Sequence, residues 1–112
     1  MVSERELHPN VGDHRLLTVP TLNTSVVFNM ASANTSSDDT STTAYFDNLA
    51  SSVIQFSVVA DQVIEITAIN GTALTEGISV AANTEYAEDK GNYRSITIRT
   101  TVNNTQISLR VR

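Results

Sequence analysis

The sequence has no cysteine and no tryptophan, and only six of its 112 residues are aromatic. Without cysteine the chain can form neither disulfides nor thiolate metal sites, and it has no cysteine nucleophile. With so few aromatic side chains, stacking platforms for sugar rings or nucleic-acid bases are scarce. No apolar run approaches the ~20 residues that a membrane-spanning helix requires.

Positive charge is also in short supply. Seven basic residues stand against twelve acidic ones, which gives a net charge of −5. This balance argues against general nucleic-acid binding and against docking on an anionic membrane. Serine and threonine are abundant, 27 in all, and there are ten asparagines. The length predicts one small domain with its own hydrophobic core.

The two ends of the chain differ in pattern. The first residues, MVSERELHP, lack the basic start and the roughly 7–15 apolar residues of a secretory signal. We therefore expect a protein made in the cytoplasm without a signal peptide. Residues 1–15 are charged and are interrupted by Pro9 and Gly12, which predicts an extended N-terminal arm. The last residues, ISLRVR, alternate in polarity and predict a strand tied into a sheet.

Alternation of period two dominates the chain from residue 16 onward and predicts strands. The clearest case surrounds Asn103-Asn104, since asparagine tolerates the positive φ of a two-residue turn. A hairpin folded there would set Ile98 opposite Leu109 and leave one face apolar and the other polar. A second hairpin is predicted around the three-residue loop 60–62, which would set Val58 opposite Ile64.

The remaining signals predict short strands and turns. Together they indicate six to eight mostly antiparallel strands and no long helix, which is typical of an all-β protein. We predict a single β-sandwich, Ig-like or jelly-roll-like, over residues 16–112, preceded by the arm at 1–15. The further predicted elements are strands at 16–19, 25–30 and 77–80, turns at 70–71 and 75–77, and one helical turn at 86–90.

Residues 31–43, ASANTSSDDTSTT, contain no apolar side chain larger than alanine. A loop of this length inside a compact domain is uncommon. Two interpretations stay open: a disordered insertion, and a contact loop that becomes ordered on a partner.

Residues for catalysis are few. The two histidines, His8 and His14, both lie in the predicted arm, and Asp13 is next to His14. No G-x-S-x-G, G-x-G-x-x-G or P-loop motif is present, so neither a nucleophile elbow nor a phosphate cradle is indicated. We therefore predict that the protein is not an enzyme and has no catalytic residues.

Metal ligands are equally sparse. Two histidines six residues apart make a poor zinc site, because zinc takes three or four fixed ligands. Seven acidic residues on loops or strand edges could bind calcium, but no EF-hand loop is present, and a solvated acidic surface is the favoured explanation of them. We predict no metal and no cofactor. The seven residues are Asp38, Asp39, Asp47, Asp61, Glu65, Glu88 and Asp89.

Charge is unevenly distributed along the chain. Residues 93–112 hold four arginines and no acid, a charge of +4, so the remaining residues carry −9. The predicted terminal hairpin would place Arg99, Arg110 and Arg112 on one outward face. These arginines either pair with acids of the same chain or form a basic stripe that contacts another chain.

Three stretches of the sequence resemble a known group of proteins: IEITAINGTALTEGISVAANT (64–84), YRSITIR (93–99) and QISLRV (106–111). They are similar in style to the small β-sandwich proteins of tailed-bacteriophage particles, such as capsid decoration proteins and tail or fibre accessory subunits. The resemblance covers about half the chain and identifies no site residue. It implies a non-enzymatic virion component, present as a homo-oligomer or in many copies, whose extended arm reaches over neighbouring subunits.

These observations predict a structural protein that contacts other virion proteins and itself, and neither nucleic acid nor a membrane. The expected location is the virion, after synthesis in the host cytoplasm. The alternative is a small carbohydrate- or receptor-binding β-sandwich module. Partner contacts are predicted for residues of the arm and of the basic face: Arg5, Leu7, His8, His14, Arg99, Arg110 and Arg112.

Overall fold

The computed structural model describes residues 13–30, 43–45 and 52–112. Within these ranges the chain forms nine strands and no helix, and so no helix that could cross a membrane. The all-β prediction is confirmed. The strands are β1 (Asp13–Val19), β2 (Ser25–Asn29), β3 (Thr43–Tyr45), β4 (Phe56–Ala60), β5 (Ile64–Ile69), β6 (Thr72–Val80), β7 (Tyr86–Glu88), β8 (Ser95–Thr100) and β9 (Thr105–Val111).

The strands form two sheets packed on one another. One has four antiparallel strands in the order β1-β9-β4-β7, and the other has five in the order β3-β2-β8-β5-β6. In the second sheet only β2 and β3 run parallel. Along each central strand buried side chains alternate with more exposed ones, so each sheet turns one face inward and one outward.

The inward faces share one hydrophobic core. Phe28, Ile96 and Ile98 come from the five-stranded sheet, and Ile107 and Leu109 come from the four-stranded sheet. All five side chains are fully buried. Because burial of one such side chain stabilises a fold by about 1.5–3 kcal/mol, the contact between the sheets dominates the stability of the domain.

The predicted terminal hairpin is wrong. β8 lies between β2 and β5 in the five-stranded sheet, whereas β9 lies between β1 and β4 in the four-stranded sheet. The chain therefore crosses from one sheet to the other at residues 101–104, and Ile98 and Leu109 are buried in the core between the sheets rather than side by side in one sheet. The alternation correctly indicates which side chains are buried. It does not indicate which strands pair, because a crossing between sheets buries the same apolar faces as a hairpin does.

The second predicted hairpin is wrong for the same reason. β4 belongs to the four-stranded sheet and β5 to the five-stranded sheet, so residues 61–63 also connect the two layers. Asp61 supports this connection, because its Oδ1 accepts the backbone N–H of Gln106 at 2.8 Å. Of the eight connections between consecutive strands in the described ranges, six switch sheets in this way: β1–β2, β3–β4, β4–β5, β6–β7, β7–β8 and β8–β9.

One true hairpin joins β5 to β6, and its turn is the predicted one. Asn70 and Gly71 both have positive φ, 55° and 77°, as a type I′ turn requires. The Asn70 side chain fixes the turn to the neighbouring loop, because its Oδ1 accepts the Arg94 N–H at 2.6 Å and its Nδ2 donates to the Asn92 carbonyl at 2.8 Å.

Two smaller predictions are also corrected. The turn at 75–77 does not end a strand, because β6 continues through it. At this point the pairing between β5 and β6 shifts register: Ile66 pairs with Ile78, but Ala68 pairs with Ala73. The helical turn at 86–90 is instead the short edge strand β7, which pairs with β4. The strand count of nine exceeds the predicted six to eight.

The predicted boundaries fall partly outside the described residues. β1 begins at Asp13, so the last three residues of the predicted arm at 1–15 are part of a strand. Residues 1–12 lie outside the description. The same holds for the predicted loop 31–43 except Thr43, where β3 begins.

We predict that engineered cysteine pairs will report the crossing between β8 and β9. Val59 pairs with Ser108 across β4 and β9, so their Cα atoms are within the 4.4–6.8 Å range of disulfides. In the chain with Val59→Cys and Ser108→Cys, mild oxidation should give an intrachain disulfide, detected as loss of free thiols and increased gel mobility.

The matched control is the chain with Arg99→Cys and Ser108→Cys. A hairpin would place these two positions opposite one another, whereas the observed fold places them on outward faces of different sheets, more than ~10 Å apart. This pair should keep both thiols free. Rapid oxidation of the control pair, with no disulfide at 59 and 108, would contradict the topology. The natural chain has no cysteine, so it adds no background.

Candidate functional site

The outward face of the four-stranded sheet, called here the outer face, carries most of the polar side chains that could act together. One row crosses all four strands. His14 pairs with Arg110, Arg110 with Ser57, and Ser57 with Ala87. The row therefore has two long side chains on β1 and β9 and two small side chains on β4 and β7.

The small side chains leave a shallow cavity of about 670 Å³ on this side of the molecule. Ser57 and Ala87 lie in its lining, and the walls come from β9 and from the residues around β7. The lining residues are His14, Gln55, Phe56, Ser57, Glu85, Ala87, Glu88, Asp89, Arg110, Val111 and Arg112.

Opposite charges line opposite sides of this cavity. Arg110 and Arg112 stand on the β9 side, and Glu85 and Asp89 flank β7 on the other. Two strand spacings, about 10 Å, separate β9 from β7. Among the residues described, none of these four side chains forms an ion pair within the chain. The outer face is therefore divided into a basic half and an acidic half, each available to another molecule.

The prediction that three arginines share one face is wrong. Arg99 lies on β8, on the outward face of the five-stranded sheet, because the chain changes sheet between Arg99 and Arg110. Its Nη2 lies 3.0 Å from Glu65 Oε1 on the neighbouring strand β5. For Arg99 the alternative of an ion pair within the chain is the correct one. The pair is partly exposed, so its stabilisation is about 0.2–1 kcal/mol.

A glycine on the edge strand leaves room for this ion pair. A Cβ at position 77 would approach the Cγ and Cδ of Glu65 to 2.8 Å, closer than carbon atoms pack. The Glu65 side chain thus lies across Gly77. Gly77 therefore has a steric role on the five-stranded sheet, on the opposite side of the molecule from the cavity.

His14 and Ser108 form a hydrogen-bonded pair on the outer face. The distance from His14 Nε2 to Ser108 Oγ is 2.7 Å, a geometry also found where a histidine activates a serine. Acyl transfer further requires amide donors directed at the developing oxyanion. Ser108 lies in the middle of β9 and is paired on both sides, with Leu16 and with Val59. The ladder hydrogen bonds use the amides around it, so the pair lacks a ready oxyanion hole.

The described tyrosines outside β3 pack against the core. Phe56 contacts the ring of Tyr93 edge-on, with centroids 5.0 Å apart, and the ring of Tyr86 at 6.3 Å. Both tyrosines are half-buried, and Phe56 is only 2% exposed. The three rings form a cluster at one end of the molecule, and none of them offers a flat exposed platform to a sugar ring.

The remaining predicted contacts and ligands are less informative. Arg5, Leu7 and His8 lie outside the described residues, as do Asp38, Asp39 and Asp47. Over residues 13–30, 43–45 and 52–112 there is no group of three His, Asp or Glu side chains arranged to hold a metal ion. Of the predicted partner contacts, the fold brings together His14, Arg110 and Arg112.

Sequence reasoning missed the acidic half of the site. Residues 86–90 are predicted to form a helical turn, whereas the structure has the strand β7 there, with Ala87 outward and the exposed residues Glu85 and Asp89 on either side of the strand. A strand of three residues is too short to show alternation. Alternation with the apolar residues Phe56 and Val58 predicts that Ser57 faces away from the core, but nothing local indicates that this face is next to β9.

We predict that Tyr86 loses its proton later than an ordinary tyrosine. Burial, and then the hydrogen bond that its phenol donates to Glu88 Oε1 at 3.0 Å, raise the pKa of Tyr86 from 10.0 to about 12. The unfolded chain loses this proton near pH 10. The free energy of unfolding should therefore decrease between about pH 10 and pH 12, because only the unfolded state is deprotonated there.

Tyrosinate absorbance titration should show this late deprotonation, and Tyr86→Phe should abolish it and flatten the stability profile above pH 10. Tyr93→Phe is the control. Burial also raises the pKa of Tyr93, but its removal should leave the transition near pH 12 in place. A late transition that persists in Tyr86→Phe would show that the phenol of Tyr86 is not its source.

Comparisons of the chain with protein-family models, with curated proteins and with solved structures found no match. What the outer face can bind is therefore argued from its own side chains alone. It presents two guanidinium groups and two carboxylates that form no ion pair with the described residues, and a lining that includes small side chains. Such groups can form ion pairs and hydrogen bonds with a second surface that has the complementary arrangement.

Proposed function

We propose that the protein is a non-enzymatic structural subunit that acts through protein–protein contacts. The observation that carries this proposal is the division of the outer face into a basic and an acidic half whose charges find no partner within the described chain. Arginine is favoured in contacts between proteins because its guanidinium binds carboxylates in a bidentate manner. The sheet beneath fixes the backbone positions from which these side chains extend.

The fold that we propose for this subunit is a β-sandwich, Ig-like or jelly-roll-like, with an extended arm at residues 1–15. The sandwich is supported by two features: the two sheets share one core, and the chain passes from one sheet to the other at most of the connections between described strands. The charged composition of residues 1–12 supports the arm.

We further propose that the subunit is a component of a tailed-bacteriophage particle, either a capsid decoration protein or a tail accessory subunit. The sequence resemblance over residues 64–111 supports this, together with the small all-β fold. The partners would be other capsid or tail proteins and further copies of the chain. The net charge of −5 disfavours nucleic acid and membranes as partners. The location would be the virion.

A carbohydrate- or receptor-binding module is the second candidate. The cavity favours it, because carboxylate, guanidinium and amide groups face one another across a space large enough for a small ligand. The lining counts against it, because its one aromatic residue, Phe56, is almost fully buried. Contacts to a sugar would have to come from polar side chains such as Gln55 and Glu85.

We predict that virus particles purified from the source of this chain contain it. After density-gradient purification, peptides of the chain should cofractionate with the major capsid protein at a constant ratio, as measured by quantitative mass spectrometry. The physical reason is that a structural subunit remains bound through many repeated contacts.

A soluble host protein from the same lysate is the control, and it should be lost during purification. If the chain is lost from the particles during purification, as the host protein is, the virion proposal is contradicted. Binding of the purified chain to a glycan array, abolished by Glu85→Gln and retained in Arg94→Gln, would instead support the carbohydrate-binding module.

A further inference from the structure

We propose that the outer face binds a second copy of the chain about a two-fold axis that runs parallel to the strands, between β9 and β4. The inference deepens the proposed function and rests on it, since it names one partner of the structural subunit. The supporting observation is that both the charge and the size of the outward side chains change from one side of the sheet to the other, in the strand order β1-β9-β4-β7.

The charges of the outer face are complementary to themselves. The basic residue Arg110 lies on β9 and Arg112 directly follows that strand, whereas the acidic residues Glu85 and Asp89 flank β7. A two-fold axis parallel to the strands exchanges the two halves, so the basic half of each copy faces the acidic half of the other. Each ion pair is formed twice, as in any isologous interface.

Side-chain size follows the same order. In the row His14, Arg110, Ser57, Ala87 the first two side chains are long and the last two are small. The same axis places Arg110 over Ser57 of the second copy and His14 over Ala87 of the second copy. The long side chains of one copy thus enter the cavity of about 670 Å³ that the small side chains of the other leave open.

The direction of the axis matters. A two-fold axis perpendicular to the strands, but still in the plane of the interface, would place Arg110 near Arg110 of the second copy. Like charges facing one another across an interface cost several kcal/mol in general. Charge and size together therefore select the parallel axis. The same contact would cover Leu16, an outer-face side chain that is 58% exposed.

The size of the face sets the strength of the contact. Four strands about 4.8 Å apart and seven residues of about 3.3 Å each give roughly 440 Å² per copy, or roughly 900 Å² for the pair. Stable interfaces usually bury about 1,200–2,000 Å². We therefore expect a weak dimer, with a dissociation constant in the micromolar range or above and marked sensitivity to salt.

The experiment is a charge exchange, followed by sedimentation equilibrium from about 10 to 500 μM. Arg110→Glu alone and Glu85→Lys alone should each weaken the wild-type dimer by at least about tenfold, because each places like charges together twice. An equimolar mixture of the two variants should dimerise again, since Glu at 110 of one variant then lies near Lys at 85 of the other, and Arg110 of the other variant lies near Glu85. The double variant should also recover.

Arg94→Glu is the matched control, since Arg94 is an exposed arginine that precedes β8 in the other sheet. It should dimerise like the wild type, and all variants should keep the wild-type melting temperature within a few degrees. A wild-type chain that is monomeric up to 500 μM would overturn the inference. So would single variants that dimerise normally, or a mixture that fails to recover although both variants are folded.

These outcomes are distinct from failure of the proposed function. A chain that is present in purified particles but does not respond to the charge exchange would show that the subunit assembles through another surface. A chain that forms the predicted dimer but is absent from particles would preserve the two-fold contact and remove the virion role. Recovery of dimerisation in the mixed variants requires both the face and the axis to be as described.

Discussion

The structure depends on one constraint: at most connections between the described strands, the two consecutive strands lie in different sheets and bury their apolar faces on opposite sides of one core. β8 and β9 are the clearest example, since Ile98 and Leu109 are fully buried in one core but belong to different sheets. Each crossing commits a strand to the layer opposite its predecessor, so both sheets must form together. Among the described strands only β5 and β6, joined at Asn70-Gly71, form a hairpin, so most strand pairings join segments that are distant in sequence.

The same crossing determines what the surface can do. Arg99 and Arg110 are close in sequence and both point outward, but they emerge on opposite sides of the molecule. Arg99 forms an ion pair with Glu65, whereas Arg110 forms none with the described residues, and Glu85 and Asp89 on the same side of the molecule lie two strand spacings away. The fold thus leaves one outward face internally paired and the other divided into separate charges. That division supports both the proposed contact with other proteins and the proposed contact with a second copy.

The candidate site could be predicted only in part. Alternation placed Arg110 and Arg112 on an outward face, and it placed Ser57 on a polar face. The acidic half could not be found, because β7 has three residues and is a strand only by virtue of its pairing with β4. The hydrogen bond between His14 and Ser108 spans 94 positions of sequence, and no local pattern predicts a contact at that separation. Short edge strands and long-range pairings are properties of the assembled sheets.

By itself, the sequence determined the class of structure and the side on which each residue lies. A period of two buries Ile96, Ile98, Ile107 and Leu109 whichever strands are neighbours, and Asn70-Gly71 encodes a turn through positive φ. The tertiary structure decided which strands pair. A hairpin and a crossing between sheets bury the same apolar face, so alternation does not distinguish them. Packing of the whole core decides between a hairpin and a crossing, and that packing involves strands from all parts of the chain, so no single segment can encode it.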